Sequence, residues 1–428
     1  MLIPDVKQTP YWWEGAAPPE PEPPALPTAV DVLVVGAGYT GLNAALQTAR
    51  GGFHTLVLDA EAAGWGCSSR NGGQISTSVK PTYAALAKRH GAGTARAILE
   101  EGATSLRWIG DFIEEEGIDC AFRVVGRFHG AHSPARFERL AKAAATQIPG
   151  LEEDAYPVPR SEQQRELGTD VYFGGIVFPR HASVDPARYH RGLLERVTEA
   201  GATVVPHCRV TGLERQGDGF SVRTPNGPVQ ARRVIIATNG YTGALTPWHR
   251  RRVIPIGSYM IATEPIAPDL MDKIMPTDRI ISDTRKVVYY YRPSPDRTRI
   301  LFGGRVCHGE TDLSTSATRL HKELARLFPD LAHIRVSHSW MDFVGYTFDT
   351  LMHVGEQDGL HYALGYCGAG VGMASYLGMR VGQQVLGLKA GRTAFDGLAF
   401  PTRPFYSGRP WFVAPTVMAY RLRDRLGF

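Results

Sequence analysis

The sequence predicts an α/β protein of two interleaved domains, one a parallel sheet flanked by helices and the other an α+β unit on a mixed or antiparallel sheet. Three observations lead there. Residues 32–35 form an apolar strand that runs into a glycine turn, a helix over about 41–51 and a second strand at 55–58, together a βαβ unit. Strand and helix patterns return at 186–237 and 361–388, separated by strand-rich sequence over 253–305. The chain has 428 residues, about two to three times a typical single domain, so it has room for both units.

In chain order, the first 30 residues join an aromatic cluster, Tyr11-Trp12-Trp13, to a proline run between Pro18 and Pro27. Proline lacks the N–H that helix and inner strand need, so this segment is expected to be an extended arm strapped on the surface. Residues 82–148 read mainly as helix, from apolar spacing such as Ile98, Leu106, Ile109, Phe112 and Ile113. A helix over 186–200 follows, then strands at 203–206, around Phe220 and Val229, and at 234–237. Beyond the strand-rich stretch come a helix over 317–328, strand-like sequence at 334–343, a strand at 361–365 and a helix from about 374 to 388. The expected division is an arm (1–30), a first domain (31–90, 185–245 and 350–400), a second domain (91–184 and 246–349) and a tail (401–428).

Composition excludes several function classes. Hydrophobic residues make up 43% and charged residues 21%, which suits an ordinary globular core, and the net charge of +5 is spread without a basic block that would track a nucleic-acid backbone. The five cysteines are an odd number with no C-x-x-C pair, so neither a disulfide framework nor a zinc or other metal site is expected. No basic segment precedes an apolar core at the N-terminus, making the cytoplasm the expected compartment. Residues 32–49 lack charge over the length of a membrane span, but Gly36, Gly38 and Gly41 favour a buried strand turning into a helix.

Those three glycines form G-x-G-x-x-G directly after a strand and at a helix start, with Tyr39 and Thr40 between the last two. The first allows the tight turn, the second lets backbone approach a pyrophosphate, and the third lets helix and strand pack closely. Twenty-one residues past Gly38 stands Asp59, placed to accept from ribose hydroxyls, which favours FAD or NAD over a 2′-phosphorylated dinucleotide. The following loop, residues 66–74, carries Ser69, Arg70, Asn71, Gly72 and Gly73 and suits a second approach to the pyrophosphate. Near the other end, residues 365–372 again place glycines after a strand and before a helix, where a helix N-terminus would favour the anionic edge of a reduced flavin; a second nucleotide fingerprint is the alternative.

Taken together, residues 32–59, 66–74, 235–241, 290–304 and 365–373 resemble the D-amino-acid oxidase superfamily of FAD enzymes, and within it the gamma-glutamylputrescine oxidoreductase-like branch. The resemblance implies FAD held by Gly36, Gly38, Tyr39, Thr40 and Gly41, by Asp59 at the ribose, and by Ser69, Arg70, Asn71, Gly72 and Gly73 near the pyrophosphate. It further implies Val210 near adenine, Thr238 and Gly240 near the phosphates, and Gly370, Val371, Gly372 and Met373 along the flavin ring. The implied reaction removes hydride from a carbon bearing an amine, giving an imine that water hydrolyses, with oxygen or another electron acceptor completing the cycle. Gln74 at the flavin edge, walls Tyr259, Tyr290 and Trp340, and Arg305 as a distant carboxylate contact are the implied catalytic-site residues. On strand 289–292 alternation puts Tyr290 and Arg292 on one face and Tyr289 and Tyr291 on the other, and similarity to sarcosine-oxidase relatives selects Tyr290 for the cavity.

Three departures shape the expected specificity. Where those relatives carry a flavin-linking cysteine this chain has Val344, with Cys367 in a later glycine turn; where they carry a carboxylate-binding lysine it has Gly372; and their oxygen-activating lysine corresponds to Leu301, with Lys286 nearby. Noncovalent FAD is therefore expected, and a long or acylated amine over glycine or sarcosine. A free amino acid oxidase, with Arg127, Arg292 or Arg305 on the carboxylate, is the alternative of the same fold, and a non-catalytic flavin scaffold the alternative of a different class. His181, His249 and His353 are expected to be surface or core histidines rather than bases.

Overall fold

In a computed structural model, which describes residues 2–427, two large sheets lie side by side with the chain passing between them. The first has five parallel strands at its centre, ordered Thr203–Val205, Thr55–Leu58, Ala29–Val35, Gly227–Ile236 and Leu360–Leu364. Its middle strands are buried on both faces, as a parallel sheet requires, which is why they read as unbroken apolar runs. Helices Tyr39–Arg50, Pro186–Glu199 and Gly370–Val385 cover one face. Gly378 and Gly382 let the last of these sit against the first: an added Cβ would lie 2.4 Å from the Thr40 carbonyl oxygen or 2.8 Å from that of Ala44. The uncharged run from Val32 is thus a strand and part of a 12-residue helix, and among the described residues no helix is long and apolar enough to cross a membrane.

The second sheet has nine strands, in the order Leu2–Lys7, Val336–Tyr346, Ile254–Thr263, Ile300–Gly304, Tyr289–Pro293, Ile280–Asp283, Arg127–Gly130, Gly175–Phe178 and Tyr156–Val158. It is mixed, because the first pair and the Ile280–Asp283/Arg127–Gly130 pair run parallel while the others are antiparallel. One register row crosses it through Trp340, Met260, Gly303, Tyr290, Ser282 and His129. Side chains alternate along each strand, so Tyr259, Ile261, Tyr289, Tyr291 and Phe302 point the other way, into a core shared with helix Leu313–Leu327.

Four expectations need correction or refinement. Residues 82–148 contain the strand Arg127–Gly130 as well as helices; its four residues are too short to register against flanking helical periodicity. Helix Ala92–Glu115, assigned to the second domain, buries Ile98, Ile109, Phe112 and Ile113 in the core of the first, because its apolar stripe meets helix Gly370–Val385. The proline run is an extended, largely exposed arm as expected, but the residues before it are not: Leu2–Lys7 adds an edge strand, Trp13–Ala16 forms a helical turn, and Trp12 is 1% exposed beside Trp340 and Leu301. The tail includes a helix, Val413–Arg425, anchored where Asp424 accepts from the backbone N–H groups of Lys286 (2.8 Å) and Val287 (3.1 Å).

Candidate functional site

Between the sheets lies a cavity of about 1820 Å³. Single-ligand pockets span roughly 300–1,000 Å³, so this one has room for an extended cofactor together with a substrate. Its floor is the turn between strand Ala29–Val35 and helix Tyr39–Arg50. Gly36 adopts φ +109°, and an added Cβ would lie 2.9 Å from the Ala237 carbonyl oxygen. Gly38 is the helix N-cap and brings no side chain of its own; the Tyr39 N–H donates to the Ser68 hydroxyl at 3.0 Å, and the turn faces the cavity, where an anion would meet the helix N-terminus. Gly41 does not line the cavity; a Cβ there would sit 1.8 Å from the Gly36 carbonyl oxygen, so its part is to let the turn close.

Tyr39, Thr40, Asp59, Arg70, Asn71, Gly72, Gln74, Val210, Thr238, Gly370 and Val371 also line this space, as do Tyr290 and Arg305. Asp59 is tied into the turn: Oδ2 accepts from the Ala37 N–H at 2.7 Å and Oδ1 from that of Glu61 at 3.0 Å, while burial pushes its pKa up. Gln74 donates to the carbonyls of Ile281 and Tyr291, each at 3.2 Å, bridging the first domain to the second sheet. Tyr290 shares a hydroxyl hydrogen bond with Ser258 at 2.8 Å; its ring lies against Gly303 and Gly72, and burial raises its pKa.

Eight expected residues lie off the cavity, Gly41 among them. Ser69 is buried, its hydroxyl donating to the Gly64 carbonyl and accepting from Trp13. The Gly73 carbonyl takes Arg292, Gly240 packs on strand Val336–Tyr346, and Met373 is in the helical core. Gly372 faces helix Ala92–Glu115, where a Cβ would meet Ile109 and the Ser105 carbonyl, so a side chain at 372 would not enter the cavity. Tyr259 is on the opposite sheet face, its hydroxyl donating to Glu310 at 2.7 Å and accepting from the Thr311 N–H at 2.9 Å. Trp340 is on the cavity face but covered by Trp12, and Leu301 is sealed in the same cluster.

The candidate cations separate clearly. Arg292 spends its donors on the carbonyls of Gly73, Val184 and Pro293, and Arg305 on Gly257, His308 and the Glu310 carboxylate. Arg127 lines the cavity and has no hydrogen-bond or ion-pair partner among the described residues; burial lowers its pKa to about 10, which leaves it charged at neutral pH. Beside it, burial pushes the His129 pKa down to about 3, with Nδ1 2.8 Å from the Ser282 hydroxyl, and lowers that of His181, which stacks on Phe178. His249 and His353 are buried away from the cavity.

Several lining residues escaped the sequence reading. Lys80 donates to the Tyr346 hydroxyl at 3.1 Å, and Phe412, Val413, Thr416, Val417 and Tyr420 of the C-terminal segment form part of the wall. Asp342, also lining, has its pKa pushed up to about 7 by burial, against the pull of Arg70. An isolated lysine, an apolar helix stripe and one aspartate carry no motif, so no local signal marked them.

The donor set fits FAD: a helix N-terminus behind a glycine turn, an acid at the end of the next strand, and an apolar sheet face opposite. Comparisons with known proteins agree. The chain is 30% identical over 424 residues to the probable oxidoreductase OrdL of Rhizobium meliloti (strain 1021), covering 97% of each chain. It is 30% identical over 412 residues to gamma-glutamylputrescine oxidoreductase of Escherichia coli (strain K12), covering 93% of each. In fold it is similar to glycine oxidase from Geobacillus kaustophilus, with a TM-score of 0.74 at 20% identity over 88% of this chain and 99% of that one. Residues 31–384 match the DAO family, and the chain is therefore an FAD-dependent oxidoreductase of that family.

Proposed function

We propose that the protein oxidises a carbon–nitrogen bond of an amine or amino-acid-derived secondary amine that also carries a carboxylate, a gamma-glutamylated amine being the favoured example. The observation that carries this reading is Arg127: a charged guanidinium lining a cavity with no protein partner is suited to a carboxylate brought by the substrate. The name of the Escherichia coli relative supports the gamma-glutamyl class, in which the carboxylate is remote from the reacting nitrogen.

In this reading Gly36, Gly38 and the start of helix Tyr39–Arg50 hold the pyrophosphate, with Asp59 at the ribose, Val210 at adenine, and Gly370 and Val371 along the ring. FAD, when bound, accepts the hydride leaving the carbon next to nitrogen. The chain's own part is to bind, orient and exclude water. Arg127 fixes the carboxylate, while Tyr290 and Met260 provide an apolar wall beside the reacting carbon. A fixed positive charge also disfavours a second one, so Arg127 lowers the pKa of a substrate amine in the same cavity and favours its neutral, reactive form. His129 and His181, held neutral by burial, add no competing charge. The imine product is then hydrolysed by water.

The test is anaerobic mixing of the flavoprotein with a gamma-glutamylated diamine, the free diamine, sarcosine and glycine, following the rate of flavin bleaching. The acylated diamine should reduce the flavin fastest. Arg127→Met should weaken its binding by about ten- to a hundred-fold, as loss of a charge-assisted pair implies, while not weakening that of the free diamine, which brings no carboxylate. Fastest reduction by sarcosine or glycine would favour the free amino acid reading instead.

A further inference from the structure

The loop following the second parallel strand is held from outside its own domain by three indole N–H groups. Trp12 donates to the Asn71 carbonyl at 2.9 Å, Trp13 to the Ser69 hydroxyl at 2.7 Å, and Trp340 to the Arg70 carbonyl at 2.7 Å. Three consecutive loop residues are thus each fixed by a separate tryptophan, two of them from the N-terminal segment. The Arg70 side chain is fixed as well: its guanidinium lies 4.7 Å from the Trp13 ring centre and 4.3 Å from that of Trp65, with Nε donating to the Trp65 carbonyl at 2.6 Å. Arg70 borders the cavity, forms no ion pair among the described residues within bridging distance, and has burial acting to lower its pKa. Held this way, a guanidinium loses little further freedom on meeting an anion.

We propose that the N-terminal segment is a clasp on the cofactor: Trp12 and Trp13, with Trp340, lock the Ser69–Arg70–Asn71 turn and present Arg70 as a preset cation to the FAD pyrophosphate, so that closure of the arm governs how tightly FAD is retained. The proposal rests on the cofactor assignment and is independent of the substrate reading. Trp12 and Trp13 act through the loop and are positioning residues. The segment is itself secured, because strand Leu2–Lys7 pairs with strand Val336–Tyr346 and Glu14 lies 3.2 Å from the His338 Nε2. The arm therefore joins the second sheet to the cofactor loop of the first domain.

The experiment uses full-length holoenzyme and three variants: Trp13→Ala, Trp13→Phe, which keeps a ring but removes the N–H, and Ser69→Ala, which removes its acceptor and leaves the arm intact. Readouts are the FAD dissociation constant and release rate from flavin fluorescence, the visible circular dichroism of bound flavin, and turnover at saturating FAD. Trp13→Ala should raise the dissociation constant at least tenfold through faster release, with Trp13→Phe and Ser69→Ala each at least threefold. Turnover at saturating FAD should stay within about twofold. FAD affinity within threefold of the parent in all soluble variants would overturn the proposal, as would a turnover loss at saturating FAD with affinity unchanged. If Trp13→Ala does not fold, the two conservative variants decide the matter on the same thresholds.

Discussion

The Trp340 indole donates to the Arg70 carbonyl at 2.7 Å, tying the longest strand of the second sheet to the loop that borders the cofactor cavity. A residue expected to form a substrate wall instead ties the second sheet to the cofactor loop. The cavity between the sheets is held open by such side-chain ties, with Gln74 bridging in the same way to Ile281 and Tyr291.

Gly41→Ala should disrupt the nucleotide turn although Gly41 touches no part of the cavity. Alanine is the better helix former by about 1 kcal/mol, but its Cβ would sit 1.8 Å from the Gly36 carbonyl oxygen, and backbone cannot yield as a side-chain tip can. Overpacking of this kind costs roughly 1–3 kcal/mol or more, so the variant should unfold at lower urea and purify with little FAD. An unchanged midpoint with full flavin content would contradict this role.

Asp59→Ala should weaken FAD binding far more than it slows turnover of the loaded enzyme. Losing charge-assisted hydrogen bonds at a ribose costs roughly 1.5–3 kcal/mol, about 10- to 150-fold in affinity. The change also frees the Ala37 and Glu61 N–H groups, so the FAD-free protein should melt earlier too. Fluorescence titration separates the two effects, and undiminished affinity would place the adenosine elsewhere.

Asp342 predicts a pH dependence of stability. Its pKa in the fold is about 7, above the ordinary carboxyl value of 3.8, because the buried carboxyl resists ionisation. Between those values the native state keeps a proton that the unfolded chain has lost, so this group's contribution to stability falls as pH rises through the window and levels off above about 7. Asp342→Asn should flatten the decline in melting temperature between about pH 5 and 7.5. Parallel profiles for parent and variant would show that the carboxyl ionises without penalty.

Acid precipitation should release all flavin into the supernatant. Val344, the position for which the resemblance implies a linking cysteine, lines the cavity, and Cys367 is buried, its thiol donating to the Gly365 carbonyl. Cys67 does face the cavity, but burial and the neighbouring Asp342 carboxyl push its pKa well up, leaving little thiolate to act as a nucleophile. A flavinylated peptide in the pellet would refute the expectation.

The sequence by itself determined the βαβ unit, the FAD fingerprint and the family, because each rests on local order: a strand, a turn that only glycine closes, a helix and an acid within one short stretch. Alternation along Tyr289–Pro293 likewise sufficed to separate Tyr290 from its neighbours, since pleat direction is a property of the strand alone. Tertiary structure decided which arginine is free. Arg127, Arg292 and Arg305 look alike in sequence, and only the packing shows two of them consumed by carbonyls and a carboxylate. It also moved Tyr259 to the far face, covered Trp340 with Trp12 and brought the C-terminal helix to the cavity wall. Most of these contacts join residues dozens to hundreds of positions apart, where the register of one strand against another sets the outcome and no local pattern records it.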